Sequence, residues 1–283
     1  MSDAQTREVF AIAVCAGCGL GHTVPQPASL DRFYANYHGG RHGVTQGWCL
    51  RRRLSFVRQV AGRAERRALD IGCGDGSFLL ALKRNGWAVQ GSEFAPEGAR
   101  AAGLDVVSDL DQLADEQRFG LITLWHSLEH MRDPRQVLDR VRGLLAPGGV
   151  VLIAVPDAGS LQARVFGPAW VHLDVPRHLF HFTGGALASL LRASGLDVAR
   201  TWGHELELDL FGWAQSSLNL ILPEPNVLFA SLTGHSTRAS TAVVAASFAL
   251  GAVITATAVP IVAAGAAAGH AGTLVIAATA PRA

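Results

Sequence analysis

Apolar and polar positions change period several times along the chain, and each change marks an element. Ala68-Leu69-Asp70-Ile71 is a short strand-like run, closed by the glycine-rich Gly72-Cys73-Gly74-Asp75-Gly76-Ser77. Phe78-Leu79-Leu80-Ala81-Leu82-Lys83 then takes up a helical pattern. Trp87–Gly91, Phe119–Trp125 and Leu144–Ile153 predict further strands, and Gly195–Thr201 and Gly272–Ala280 predict the last two. Strands alternating with helical runs predict an α/β fold. About 70 residues separate the last two predicted strands, far more than a simple connection needs. They include Trp213–Leu222, the break Pro223-Glu224-Pro225 and an uncharged run from Ala239 to Ala280. Within that run, Ala242–Ala268 is long enough to span a bilayer. A single crossing would deliver Gly272–Ala280 to the far side of the membrane from its own sheet. A helical hairpin is therefore expected, with Pro260 and the glycines at 251, 265 and 269 as break points. Such a hairpin would serve as a lid, a homodimer surface or a peripheral membrane contact.

Composition narrows the function classes. The chain has 283 residues, 49% hydrophobic and only 17% charged, with a net charge of +1. No sustained Lys/Arg run provides the electrostatic footprint of a nucleic-acid binder, so a small or lipid-like substrate fits better. Four cysteines, Cys15, Cys18, Cys49 and Cys73, are too few for a disulfide framework in a chain of this length. The first residues carry acidic side chains and no basic run ahead of a short apolar stretch, unlike a signal peptide. A reducing, cytoplasmic setting is expected, with the apolar insertion as the candidate membrane contact.

The chemistry gathers at the glycine turn. Strand, glycine-rich turn and helix in sequence let backbone N–H groups approach a ligand closely. The spacing is G-x-G-x-G rather than the G-x-G-x-x-G of a dinucleotide site. Glu93 follows the next strand about 20 positions later, where a carboxylate accepts both hydroxyl protons of a ribose diol. Read alone, Glu93 could equally be a solvated charge at a strand end.

From Arg67 to Thr201, and again in the final strand, the chain resembles the class I S-adenosylmethionine (SAM)-dependent methyltransferases. Leu69–Gly76 is similar to their SAM-binding motif, and Glu93 matches their acidic residue after strand two. Ser108-Asp109-Leu110 stands at their adenine-side position. His126-Ser127-Leu128-Glu129-His130-Met131-Arg132-Asp133-Pro134 resembles the signature after strand four, and Leu144–Ile153 resembles the turn and strand five. One departure is visible: Gly120 stands where the family commonly has Asp. The resemblance implies a Rossmann-like seven-stranded sheet with strand seven antiparallel and a helical insertion between strands six and seven. It implies SAM as cofactor, held by Asp70, Gly72, Cys73, Gly74, Glu93, Phe94, Asp109, Leu110, Trp125 and His126. The sulfonium of SAM is already activated, so such an enzyme mainly aligns the acceptor and excludes water.

On the acceptor side, Trp170–Thr183 concentrates three histidines, an Asp, an Arg and three aromatics. Asp174-x-Pro176-Arg177-His178-x-x-x-Phe182-Thr183 resembles an element of a bacterial subgroup of these enzymes, and Thr183 is the expected N-cap of a helix over Gly185–Ala193. A positioned imidazole can take a hydroxyl proton, which nominates His178 first, then His126 and His181. The alternative is that Arg177 and His178 brace the loop. No metal is expected from these histidines, because Glu129 is misplaced for H-E-x-x-H.

Nearer the start, Cys15-Ala16-Gly17-Cys18 resembles half of a zinc ribbon, whose closed form needs four ligands. His22, Cys49 or a second chain could supply the rest, but the spacing does not require it. Leu30–Gly40 resembles the subgroup's linker. Arg51, Arg52, Arg53, Arg58, Arg63, Arg66 and Arg67 follow on an expected helix, read as a solvated face or as contact with an anionic substrate or lipid headgroup. The expected parts are thus an N-terminal Cys-pair segment and cap over 1–60, a SAM-binding domain over 61–203 plus 271–283, and the apolar insertion over 204–270. The leading reading is methyl transfer to a hydroxyl of a sugar, glycolipid or secondary metabolite. Rival readings are a noncatalytic methyltransferase-like scaffold and, less well supported, a nicotinamide-dependent oxidoreductase.

Overall fold

The computed structural model describes Thr6 and residues 8–34, 45–62, 65–235 and 237–281. Most of the expected linker, 35–40, and Arg63 of the basic run lie outside the described residues. In chain order the elements begin with β1 (Ala11–Val14), β2 (Gly21–Val24), α1 (Asp31–Tyr34), α2 (Gln46–Val60) and β3 (Arg67–Ile71). Then come α3 (Ser77–Arg84), β4 (Ala88–Ser92), α4 (Glu97–Ala101), β5 (Val106–Val107), β6 (Phe119–Trp125), α5 (Pro134–Leu144) and β7 (Leu145–Pro156). The remainder is α6 (Leu161–Phe166), β8 (Phe180–His181), α7 (Gly184–Ala193), β9 (Asp197–Trp202), α8 (Leu206–Ile221), α9 (Val227–Thr233), α10 (Thr241–Ala267) and β10 (Thr273–Thr279).

These elements form two compact units whose boundaries differ from the sequence segments. One comprises 46–155, 185–202 and 275–283, the other 1–45, 156–184 and 203–274. Helix α2, expected with the N-terminal segment, belongs to the first unit because Phe56 and Val57 pack into the core beneath β3 and β6. Segment 156–184, expected with the sheet domain, belongs to the second because β8 pairs with β2, His22 opposite Phe180.

The first unit is the α/β sheet the sequence predicts. Among the described residues, seven strands run in the order β5-β4-β3-β6-β7-β10-β9, with β10 antiparallel to β9 and the β5-to-β7 ladders parallel. Every residue of β6 is buried, as a central strand covered on both faces requires. Helix α5 shows how the connections are written locally. Asp133 caps it by accepting the Gln136 N–H, Pro134 occupies the first turn, and Leu138, Val141 and Leu144 bury one face.

Gly120, the departure from the family pattern, has a packing cause. A Cβ built there would lie 1.9 Å from the backbone carbonyl oxygen of Glu65, so the chain ahead of β3 occupies the space a side chain would need.

In the second unit, β1, β2 and β8 form a small antiparallel sheet. The insertion is α8, α9 and α10, and it corrects one expectation. The uncharged run does not fold back on itself: α10 continues for 27 residues through Gly251, Pro260 and Gly265. The helices are divided instead at Pro223–Asn226, between α8 and α9, and between α9 and α10.

Because the Glu65 carbonyl is backbone and cannot step aside cheaply, Gly120→Ala is expected to cost about 1–3 kcal/mol of stability. Urea unfolding should show the loss as a lowered midpoint at unchanged slope.

Candidate functional site

The strand order reverses between β3 and β6, which places a crevice at their carboxyl ends. The glycine turn after β3 is built for close approach there. Gly72, Gly74 and Gly76 have φ of 75°, 55° and 77°, a region that costs other residues strain. The Gly72 and Cys73 N–H groups donate to the Ser92 carbonyl at 2.7 and 3.1 Å, tying the turn to the end of β4. A Cβ on Gly72 would lie 2.5 Å from Cβ of Ser127, whereas one on Gly74 would meet nothing within 4 Å. Gly74 therefore presents open backbone.

Glu93 closes the next side. Its Oε2 accepts the Gly74 N–H at 2.8 Å, and its own N–H donates to Val107 O at 3.0 Å on β5. Glu93 is thus a half-buried carboxylate bonded to the glycine turn. Beside it Phe94 is 76% exposed, an apolar ring left open to a planar partner. Asp109 is exposed after β5, its carboxylate accepting the Asp111 N–H at 2.8 Å, and Leu110 begins the turn it caps. Open backbone, a carboxylate for a diol and a free aromatic face fit the adenosyl group that the resemblance implies.

Three expected contacts are spent differently. Asp70 is buried at 3% exposure, and Thr123 Oγ1 donates to its Oδ1 at 2.6 Å. Burial pushes its carboxyl up to about 7 against the lowering effects of Thr123 and the Arg53 charge. Cys73 is buried among Leu79, Ala99, Leu104 and Val106, and burial raises its thiol well above the ordinary range. The Trp125 indole packs against Phe56 and edge-on against Phe78 at 5.6 Å, with the Arg53 guanidinium 4.9 Å above it. Arg52 and Arg53 are accordingly half-buried over aromatic rings, while Arg51 and Arg58 form the solvated part of that helix. Arg53, carrying charge towards Asp70 beneath the turn, is the residue whose role the sequence does not single out.

His126 begins the loop after β6 at φ 52°, rare for a residue with a side chain and worth ~1–2 kcal/mol of strain. Its N–H donates to Ala154 O at 2.9 Å, and its Nδ1 lies 3.7 Å from Oε1 of the buried Glu129. Strain held by surrounding bonds is common at functional sites. Ser127 Oγ donates to Ile71 O at 2.8 Å, locking this loop to the end of β3.

His178 and His181 belong to the other unit. Asp174 sits at φ 36°, and its carboxylate takes the Arg177 guanidinium through several bonds, including two from Nε at 3.0 Å. Arg177 also donates to Phe33 O at 3.2 Å, tying the loop to α1. Nδ1 of His178 lies 2.8 Å from the His172 carbonyl and must donate to it, which makes Nε2 the basic nitrogen. Thr23 Oγ1 donates to the His178 carbonyl at 2.6 Å, so at 3.0 Å it accepts from Nε2–H of His181. His178 thus donates from Nδ1 and His181 from Nε2.

Cys15 and Cys18 sit in the turn between β1 and β2, both exposed and free, with Cys49 half-buried on α2. Among the described residues no third metal-ligating group joins Cys15 and Cys18, so the zinc-ribbon reading gains no support. N–H groups of Cys18 and Gly17 lower the Cys15 thiol below its ordinary value.

A family model described as a methyltransferase domain matches residues 45–201. Ubiquinone biosynthesis O-methyltransferase of Paracidovorax citrulli (strain AAC00-1) is 28% identical over 172 residues, covering 54% of this chain and 72% of that protein. Its counterpart in Methylococcus capsulatus (strain ATCC 33009 / NCIMB 11132 / Bath) is 31% identical over 175 residues, 56% of this chain and 70% of that one. Among solved structures, a Galdieria sulphuraria protein assigned as a sarcosine dimethylglycine methyltransferase matches with a TM-score of 0.51 at 19% identity. That match covers 89% of this chain and 98% of the other, a likeness of fold.

Two outcomes test the local chemistry. Asp70 has a folded pKa of about 7, above the unfolded value near 3.8, so its contribution favours folding below pH 4 and is lost as pH rises through 7. Asp70→Asn keeps an acceptor for Thr123, and its stability relative to wild type should rise by a few kcal/mol between pH 4 and 8 in denaturant titrations. Brief iodoacetamide treatment of the native protein, read by mass spectrometry, should label Cys15 before Cys73.

Proposed function

The chain belongs to the methyltransferase-domain family and is a SAM-dependent methyltransferase, and from that premise we propose methyl transfer to a hydroxyl of an apolar small molecule. The observation that carries the SAM site is the Gly74 N–H bonded to Glu93 at 2.8 Å beside open backbone. SAM supplies an electrophilic methyl group on a positively charged sulfur. Glu93 would accept from the ribose hydroxyls, Phe94 would cover the adenine and Asp109 would border it. Gly72 and Gly74 would let the ligand approach the backbone, while Asp70 and Cys73 would shape the turn from below. His126 would hold the loop over the methyl end.

The relatives support the hydroxyl and the acceptor class. Both are named O-methyltransferases of ubiquinone biosynthesis, which favours a ring-borne hydroxyl on an apolar molecule over the sugar or glycolipid expected first. An acceptor hydroxyl must lose its proton as the O–CH3 bond forms. We assign that proton to Nε2 of His178, whose tautomer the His172 carbonyl sets. His181, with Nε2 already donating to Thr23, would support the loop rather than act as base through that nitrogen.

Calorimetric titration with SAM and S-adenosylhomocysteine, followed by turnover of a catechol or other phenol, tests the reading. Glu93→Ala should weaken SAM binding about tenfold or more, the scale of one lost charge-assisted hydrogen bond. His178→Gln should leave SAM affinity intact and lower kcat by about 10²–10⁴, the usual contribution of a general base. A folded wild type that binds neither ligand would overturn the site and move the scaffold reading forward. Normal turnover in His178→Gln would remove that histidine from the chemistry.

A further inference from the structure

We propose that the face carried by α10 rests on an anionic phospholipid bilayer, lying along the interface rather than crossing it. This goes beyond the methyl-transfer reading and does not depend on it. Helix α10 has 27 residues, a mean hydropathy of 2.1 in its most apolar stretch, and only 17% of that stretch buried. A core helix would be mostly buried. At 1.5 Å per residue it is about 40 Å long.

The distribution of its side chains identifies the occupant. The buried positions Ser247, Gly251, Ala258 and Val262 fall within an arc of roughly 60° at 100° per residue. Phe248, Leu250, Val253, Val259 and Ile261, all exposed, spread over roughly 220°. A second protein helix would cover a stripe, leaving much of that arc in water. Lipid acts as a solvent and covers all of it.

Neighbouring elements extend the surface. Leu161 on α6 joins Pro260, Ile261 and Ala264 around a groove of about 520 Å³. Leu220 and Ile221, at the end of α8, are exposed as well.

Charge points to the same partner. No Asp, Glu, Lys or Arg occurs from Ala239 to Pro281. Arg238 is exposed just before the Ser240 cap, and Arg164 lines the groove beside the C-terminal half of the helix. Cations at both ends of an uncharged helix suit anionic headgroups on either side of an embedded apolar strip.

Spanning is inconsistent with the packing. The missing side chain of Gly251, in mid-helix, admits Leu228 and Leu218, so α10 lies along α8 and α9. Those helices are joined through polar bonds: Asn219 donates to Asn226 Oδ1 at 3.0 Å and accepts the Asn226 N–H at 2.8 Å, and Gln215 Oε1 accepts the Phe229 N–H at 2.8 Å. One side of α10 is therefore committed to folded protein.

Flotation of the full chain with vesicles of phosphatidylcholine, with and without phosphatidylglycerol, tests the proposal. Wild type should float, more completely with phosphatidylglycerol. Val253→Glu with Ile261→Glu changes two exposed side chains, and with an unchanged circular dichroism spectrum should reduce the floated fraction about tenfold. Arg164→Ser with Arg238→Ser should remove the preference for phosphatidylglycerol. A wild type that stays in the bottom fraction with both vesicles overturns the proposal. If that sample also sediments without vesicles as a dimer split by the two glutamates, the occupant is a second copy.

Discussion

Two hydroxyl bonds across the β3–β6 pair hold the cofactor end of the sheet in shape. Thr123 donates to Asp70, and Ser127 donates to the Ile71 carbonyl one residue further on. Between them they fix the spacing of two strand ends that diverge into separate loops. Gly72 must be glycine because Ser127 comes this close, and His126 is drawn into the left-handed region because the chain turns here to make the contact. Glu93 then has a turn to bond to only because the turn is already held in place. The open backbone at Gly74 is thus the outcome of bonds made below it.

The same arrangement explains which parts of the site could be read from residues alone. Strands and turns with strong local character were legible: Phe119–Trp125 is a strand from end to end, and the glycine turn stands where its spacing indicated. Glu93 stood out in the sequence by its distance past the glycine turn, but its bond to the Gly74 N–H was not visible there. The burial of the Trp125 indole was not, since it depends on helix α2 folding beneath the sheet from outside the motif, and that of Cys73 was not, since it depends on Ala99, Leu104 and Val106 further along the chain. Arg53 illustrates this: in sequence it is one of a basic run, and only packing separates it from Arg51 and Arg58. Gly120 looked like a lost family residue because nothing local reveals the Glu65 carbonyl beside it. In α10, Pro260 is a break signal that a long apolar helix overrides.

In Trp170–Thr183, two histidines of similar appearance are set apart by different partners. Thr23 has one proton to give, and giving it to the His178 carbonyl forces the imidazole of His181 to donate in return. Composition and spacing in Trp170–Thr183 could nominate both rings. For His178 the partner is the local His172 carbonyl, and for His181 it is a threonine on a strand about 158 residues away.

The position of β10 between β7 and β9 also bears on how the protein forms. Synthesis runs past β9 and through the three helices of the insertion before Thr273–Thr279 exists. Until then β7 and β9 have no strand between them, and each presents unpaired backbone groups able to recruit another chain. The pairing that completes the sheet is consequently non-local and slow to close. A nascent chain must therefore survive an interval with an open slot in its sheet and an uncovered apolar helix, a state suited to chaperone capture.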